Sequence, residues 1–565
     1  MRFSLAVRLV MATVGVVLVM VDTVDIGRAN ERAASSPGRR MRNGSVRGTV
    51  HRRASQPPCT GTGANAFVGV ANESNVAGSA GSGVLAGTQN AACDGFSAIV
   101  TGTGNVITTA GGGGDGAIGG GTANALAGAS SFIGAGAANI VSADGAFAGA
   151  GGTLSAASGA HNSVSGTDAF LGAGDSNDAG SLAAVVAGGQ SNSVTPGTSG
   201  GDAGGAYSAV VAGSGNSIVA VAVSGAQASF IGAGANNTVS DANSSIVAGF
   251  GNSVSRGLSS IDAGFANTVA NIESGIGAGA QNLVSGTLAF VGAGYANTAA
   301  GAGSFIGAGG YEYERKAQRA PNSADGNDAF VGAGDGNSAA GLASAIGGGS
   351  NNSARGDDAV VPGGIYNVAS GTDSFAAGTA SEALGSGSFV WSDAAVGARI
   401  LASSHPDEFL VRASGGIDFY SSPGLRSGVR LAPGSGTWSS LSDRGVKTGV
   451  AAIDPRRILD RVATLPVTEW SYRTEDPHVR HLGPMAQDFY AAFGIGEDDR
   501  HISSLDEDGV ALAAIKALAD ENRSAREQTA ALRRVNRGLL QENAVIERRL
   551  AAIVERVTAL ERRPH

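Results

Sequence analysis

A hydroxyl and an amine lie five positions apart in Ser442-Asp443-Arg444-Gly445-Val446-Lys447. The lysine is the informative member, because the chain holds only Lys316, Lys447 and Lys516 among its 38 basic residues. An arginine guanidinium keeps its proton inside a protein, whereas a desolvated lysine can turn neutral and accept one. A chain that otherwise draws its positive charge from arginine therefore offers Ser442 and Lys447 as a candidate nucleophile and base. A solvated turn lysine is the alternative, and composition alone supports it. The pair stands at a boundary. A long Gly/Ala/Ser/Asn-rich repeat region precedes it, and a more charged C-terminal segment comes after it.

Further residues decide between these readings. Leu441 to Lys447, then Ile458-Leu459, Leu465-Pro466-Val467, Trp470-Ser471-Tyr472, His481-Leu482-Gly483-Pro484-Met485-Ala486-Gln487-Asp488 and Gly509-Val510-Ala511 occur in that order. Together they resemble the endosialidase-type intramolecular chaperone autopeptidase, which ends many phage tail spikes and fibres and also occurs in myelin regulatory factor. The likeness covers roughly Ser439 to the C-terminus. It implies that Ser442 attacks the carbonyl of the Leu441–Ser442 bond while Lys447, as a neutral amine, takes the hydroxyl proton. Arg444 matches the motif and would supply a neighbouring charge or pair with Asp443. His481 and Gly483 match a His-x-Gly segment that supports the cleavage site, although a lone histidine is more often structural. Pro484 and Met485 stand where the family more often has Phe and Ile. The resemblance further implies a homotrimer whose site forms only on assembly, so that cleavage reports completed assembly.

Composition bounds the rest. The 565 residues carry a net charge of −9 and a pI near 5.3, which argues against a general nucleic-acid binder. With 91 glycines and only 5% aromatic residues, one ordinary globular core is excluded and a thin repetitive architecture is favoured. Residues 1–26 read as an export signal, with Arg2 and Arg8 before an apolar run from Leu9 to Val21; an uncleaved anchor is the alternative. Residues 27–63 read as a disordered, arginine-rich tether whose only acid among Arg28 to Arg53 is Glu31. Cys59 and Cys93 are the chain's two cysteines, and in an exported protein they predict one disulfide pinning the first coil, with two buried thiols as the alternative. No cofactor, metal site or integral membrane anchor is read.

From about residue 64 to 387 a pattern recurs: a small residue, two apolar residues, paired Gly/Ala, then Asn eight positions after the start. Copies begin fifteen residues apart at Ser229, Ser244, Ser259, Ser274, Ala289 and Ser304, and again at Ala329, Ser344, Ala359 and Ser374. The spacing predicts one coil of a β-solenoid per repeat, with one side chain of each apolar pair pointing inward. The paired Gly/Ala allows close backbone approach, and the Asn is expected to take the left-handed turn that starts the return strand. A coil this small cannot bury its apolar face alone, and three chains are expected to share the burial. The repeats resemble the YadA-like head of trimeric autotransporter adhesins, a left-handed parallel β-roll, although that family's usual period is fourteen. An interruption at Gly310 to Asp328 carries Tyr311, Tyr313 and mixed charge, and reads equally as a ligand-contact loop or a neutral insertion. Gly111 to Gly116 resembles a calcium-binding glycine repeat but is read as a turn.

Residues 388–438 read as a β connector, 439–511 as a small α/β chaperone domain and 512–565 as a coiled coil. The final helix, expected from Asp508, carries heptads to Leu560, with Leu532, Leu539, Ile546 and Ile553 on one seam and Asn522, Asn536 and Asn543 on the other. The whole predicts a mainly β, secreted or cell-surface trimeric fibre that self-cleaves, with a surface glycan or matrix ligand for the β-roll. A non-cleaving adhesin is the alternative. A tail-spike-like glycan hydrolase is less favoured, because no close carboxylate pair with aromatic platforms is found.

Overall fold

One repeat explains the solenoid. Ser244 is buried; Ser245–Ile246 is a strand whose Ile246 is fully enclosed while Val247 faces outward. Gly249, at φ 114°, and Gly251, at φ 67°, turn the chain, and Asn252 is drawn inside. Ser253–Val254 then forms the return strand with Val254 enclosed, and Leu258, at φ 59°, turns the chain into the next coil. Ile246 pairs in parallel with Ile261, and Val254 with Val269. Repeated over about 19 turns, this gives two parallel sheets enclosing one column of Ile, Val, Leu and Ala. The computed structural model describes Cys59 and residues 63–562 apart from 70–73, 109–113, 153–160, 197–203, 220–226, 311–319, 396 and 398. The expected export signal, nearly all of the tether, half of the Gly111 run and residues 311–319 with the two tyrosines of the insertion therefore lie outside the described residues.

Two expectations need correction. The asparagine is not the left-handed residue. That conformation falls on its predecessor, as at Asn236, Ala266, Gln281 and Ala296. The asparagine instead forms an internal ladder: Asn252 donates its backbone N–H and its side-chain amide to Asn237 Oδ1, both at 3.1 Å. Its amide also reaches Ala248 O and Gly264 O, at 3.3 and 3.0 Å. Such bonds run from Asn75 to Asn367, so the corner's buried backbone groups find partners within the chain. The second correction concerns burial. The aliphatic column is closed within a single chain, with Ile231, Val239, Ile261 and Val269 at 0% exposure, so the interior needs no partner. The coil is narrow enough for one aliphatic side chain per strand to fill it.

The outward sides of the two sheets differ in chemistry. On the first, which we call the phenylalanine sheet, Phe132, Phe147 and Phe170 stack with centroids 5.5 and 5.1 Å apart, and Phe290, Phe305 and Phe330 with centroids 5.9 and 5.5 Å apart. The second, the hydroxyl sheet, aligns Ser217, Thr238, Ser253 and Thr268 in register. Strands 389–392 and 409–412 still pair within the phenylalanine sheet, so the solenoid runs past residue 387 into what reads as connector in sequence. A disulfide joins Cys59 to Cys93 at the solenoid's first coils.

Beyond the solenoid, strands 417–420, 428–431 and 438–440 form an antiparallel sheet. Helix α1 (Pro455–Thr464) is capped by Asp454, which accepts from Arg456 N, and α2 (Ala486–Phe493) ends at left-handed Gly494. Helix α3 (Ser504–Glu561) begins a turn before Asp508, because Ser503 caps it and Asp506 and Glu507 suit its N-terminal end. Phe489, Phe493 and Val510 form a small core with Ile458, Val462 and Leu465. Ala513, Ala514 and Ala517 continue this buried face; from Leu518 onward α3 presents its leucines and isoleucines to solvent. Among the described residues no helix is long and apolar enough to cross a membrane.

Candidate active site

Ser442 occupies the step between a strand and a tight turn. Leu441 prolongs strand 438–440 by donating its N–H to Gly428 O at 3.0 Å, which fixes the backbone on the N-terminal side of the serine. Asp443 then caps the short turn Arg444–Val446, its carboxylate accepting from Gly445 N at 2.8 Å. Lys447 closes that turn through its own N–H to Arg444 O. The reversal brings the lysine back over the serine, and Lys447 Nζ donates to Ser442 Oγ at 2.6 Å. Both side chains are exposed, and Leu441 is 41% exposed. The hydroxyl and amine thus meet through local structure alone.

Asp443 therefore spends its carboxylate on the turn, and no ion pair joins it to Arg444 among the described residues.

His481 and Gly483 sit on a separate hairpin, strand 481–483 against strand 468–470, with Trp470 opposite His481. His481 Nε2 lies 2.8 Å from Glu475 Oε2, and its ring packs on Trp470 and Tyr472 at 4.7 and 5.6 Å. No hydrogen bond or ion pair links this cluster to Ser442 or Lys447 among the described residues. A Cβ on Gly483 would meet only Trp470 Nε1, at 3.8 Å, so one chain alone places little steric demand there. Sequence reasoning misses Glu475. Its signal is an acid six residues before the histidine across a tight turn, which only the hairpin register makes legible.

Residues 442–494 match the family model described as the chaperone of endosialidase. The match begins at Ser442 and ends at Gly494, the residue that closes α2. No curated protein matches the chain. The molecule is thus a mainly β protein in which a parallel solenoid leads into a small α/β C-terminal region whose residues 442–494 are similar to the chaperone of endosialidase.

Proposed function

We propose that the chain is an exported, trimeric, tail-fibre-like protein whose C-terminal segment guides assembly and then cuts the Leu441–Ser442 bond. The observation that carries this reading is the 2.6 Å contact between Lys447 Nζ and Ser442 Oγ at the first residue of the family match. In the reacting state the hydroxyl donates to a neutral lysine amine, and Oγ adds to the Leu441 carbonyl carbon. The C–N bond breaks as the lysine returns the proton to the Ser442 nitrogen, leaving an ester. Water then hydrolyses the ester to a Leu441 carboxylate and the restored Ser442 hydroxyl, leaving Ser442, with its amine already free, as the new N-terminus. Because both side chains are exposed in one chain, neighbouring copies supply the desolvation that favours a neutral amine. Cleavage in this account comes after assembly. Copies associate through the seam of α3 as a coiled coil, where Ile546 and Ile553 with Leu550 suit three strands or more. The solenoid then acts as the surface-binding body, with a cell-surface glycan or matrix component as its ligand class.

Expression of the full chain with denaturing electrophoresis and N-terminal sequencing tests the proposal. A small fragment beginning at Ser442, absent from the Ser442→Ala variant, is the expected result. Only full-length material from both would remove the autopeptidase claim. The same exposure of Ser442 and Lys447 favours a second reading, in which the segment registers three chains without cutting them.

A further inference from the structure

The solenoid's two outward faces differ over the coils from Ser163 to Ser353, although Ser245, Ser260 and Gly275 interrupt the phenylalanine column. Phe290, Phe305 and Phe330 remain stacked although ten extra residues enter the chain between the last two, and Phe305 still pairs with Phe330. Their exposures are 39%, 37% and 41%, which leaves an apolar patch open over these coils. The corners on either side add to it, with Leu258 at 56% and Phe265 at 48%. On the hydroxyl sheet the equivalent column is Ser and Thr with Asp178 and Leu283 from Ser163 to Ser353, whereas the coils before it carry Val76, Ala91, Val106, Ala125 and Ile140. Long apolar stripes on a soluble surface mark protein contacts.

The occupant has to match runs of rings repeating at strand spacing, about 4.8 Å, at Phe132 to Phe170, Phe290 to Phe330 and Phe375 to Phe409. Another copy of this chain running in the same direction does so by construction, and rotational symmetry closes the contact without leaving an open stripe. An independent feature asks for the same arrangement. Leu532 and Leu539 on α3 are 69% and 53% exposed on a heptad seam, and α3 lies C-terminal to the solenoid in the same chain. Copies held in parallel there present their solenoids to one another in one polarity.

We propose that the phenylalanine sheet faces the symmetry axis and packs against the same sheet of two further copies. The hydroxyl sheet is then the outer, ligand-facing surface. This rests on the trimeric reading above and specifies its interface. Ala345 and Ser338 are suitable probes. Ala345 lies in the phenylalanine column beside Phe330, Ser338 lies in the hydroxyl column beside Ser323, and both are half-buried. Each is changed to cysteine in the full chain, with Cys59 and Cys93 oxidised, and labelled with a nitroxide. Light scattering gives the mass, and dipolar spectroscopy gives the distance between equivalent labels. A shorter distance for Ala345→Cys than for Ser338→Cys supports the assignment, as does loss of trimer mass in the labelled Ala345→Cys chain alone. Equal distances, or a shorter one at Ser338→Cys, in a particle of trimer mass overturn the assignment and leave the trimer standing. A monomeric unlabelled chain overturns both.

Discussion

Asn252 gives two donors to one oxygen of Asn237, and Asn267 N in turn donates to Asn252's own side-chain oxygen at 3.0 Å. The asparagine is thus a shared rung. Asn252→Ala leaves the Asn267 amide without its acceptor and two carbonyls short of a donor, a loss of about 3 kcal/mol. Asn252→Asp keeps the shape but sets a carboxylate against three acceptor oxygens, and should cost more at neutral pH. Amide exchange in the flanking coils measures both. Equal protection in the two variants and the parent would contradict the ladder's role.

Two glycines two residues apart should respond differently to a methyl group. At Gly249, φ is 114° and an added Cβ would sit 2.3 Å from Gly264 O. At Gly251, φ is 67° and nothing lies within 4 Å, and the same position in other coils is Asn236 or Ala266. Gly251→Ala should change stability by less than about 1 kcal/mol, whereas Gly249→Ala should cost about 3 kcal/mol or more. Thermal unfolding of the two variants side by side checks the contrast.

Lys447→Arg keeps the positive charge but removes a side chain able to become neutral. If the pair works as proposed, the small fragment should appear at least about a hundredfold more slowly than from the parent. The mass of the assembled particle should not change. Cleavage at parental rate would leave Lys447 no role as the base.

Glu408 should make the last solenoid coil sensitive to acid. Its carboxylate accepts from His405 N at 3.1 Å and from Ser404 N, and these bonds pull its pKa from 4.5 down to about 2. A carboxyl whose folded-state pKa is depressed adds stability above its unfolded value and loses it as pH falls through the folded one. Between about pH 4.5 and 2 the parent should therefore lose melting temperature more steeply than Glu408→Gln. Parallel slopes across that window would argue against the contact.

The period is legible in the sequence, and so is the inward turn of one member of each apolar pair, because side chains alternate along a strand; that Ile231 and not Phe230 is the enclosed one is read from the structure. The asparagine's job is not. Asn suits both a left-handed turn and a buried ladder, and only the position of its predecessor in the coil separates them. At the candidate site, residue type singles out Ser442 and Lys447, and local turn geometry brings them within 2.6 Å. Glu475 and Trp470 stay hidden at that level because their meeting with His481 depends on hairpin register, which one sequence does not print.

Every coil offers the next the same two strand edges and the same asparagine oxygen, and nothing in a coil refers to its distance from either end. Removing a fifteen-residue unit such as 244–258 would bring Phe230 beside Ser260 just as it now lies beside Ser245. The span from Cys59 to Arg412 is therefore an adjustable ruler, shortened or lengthened in whole notches while both ends keep their chemistry.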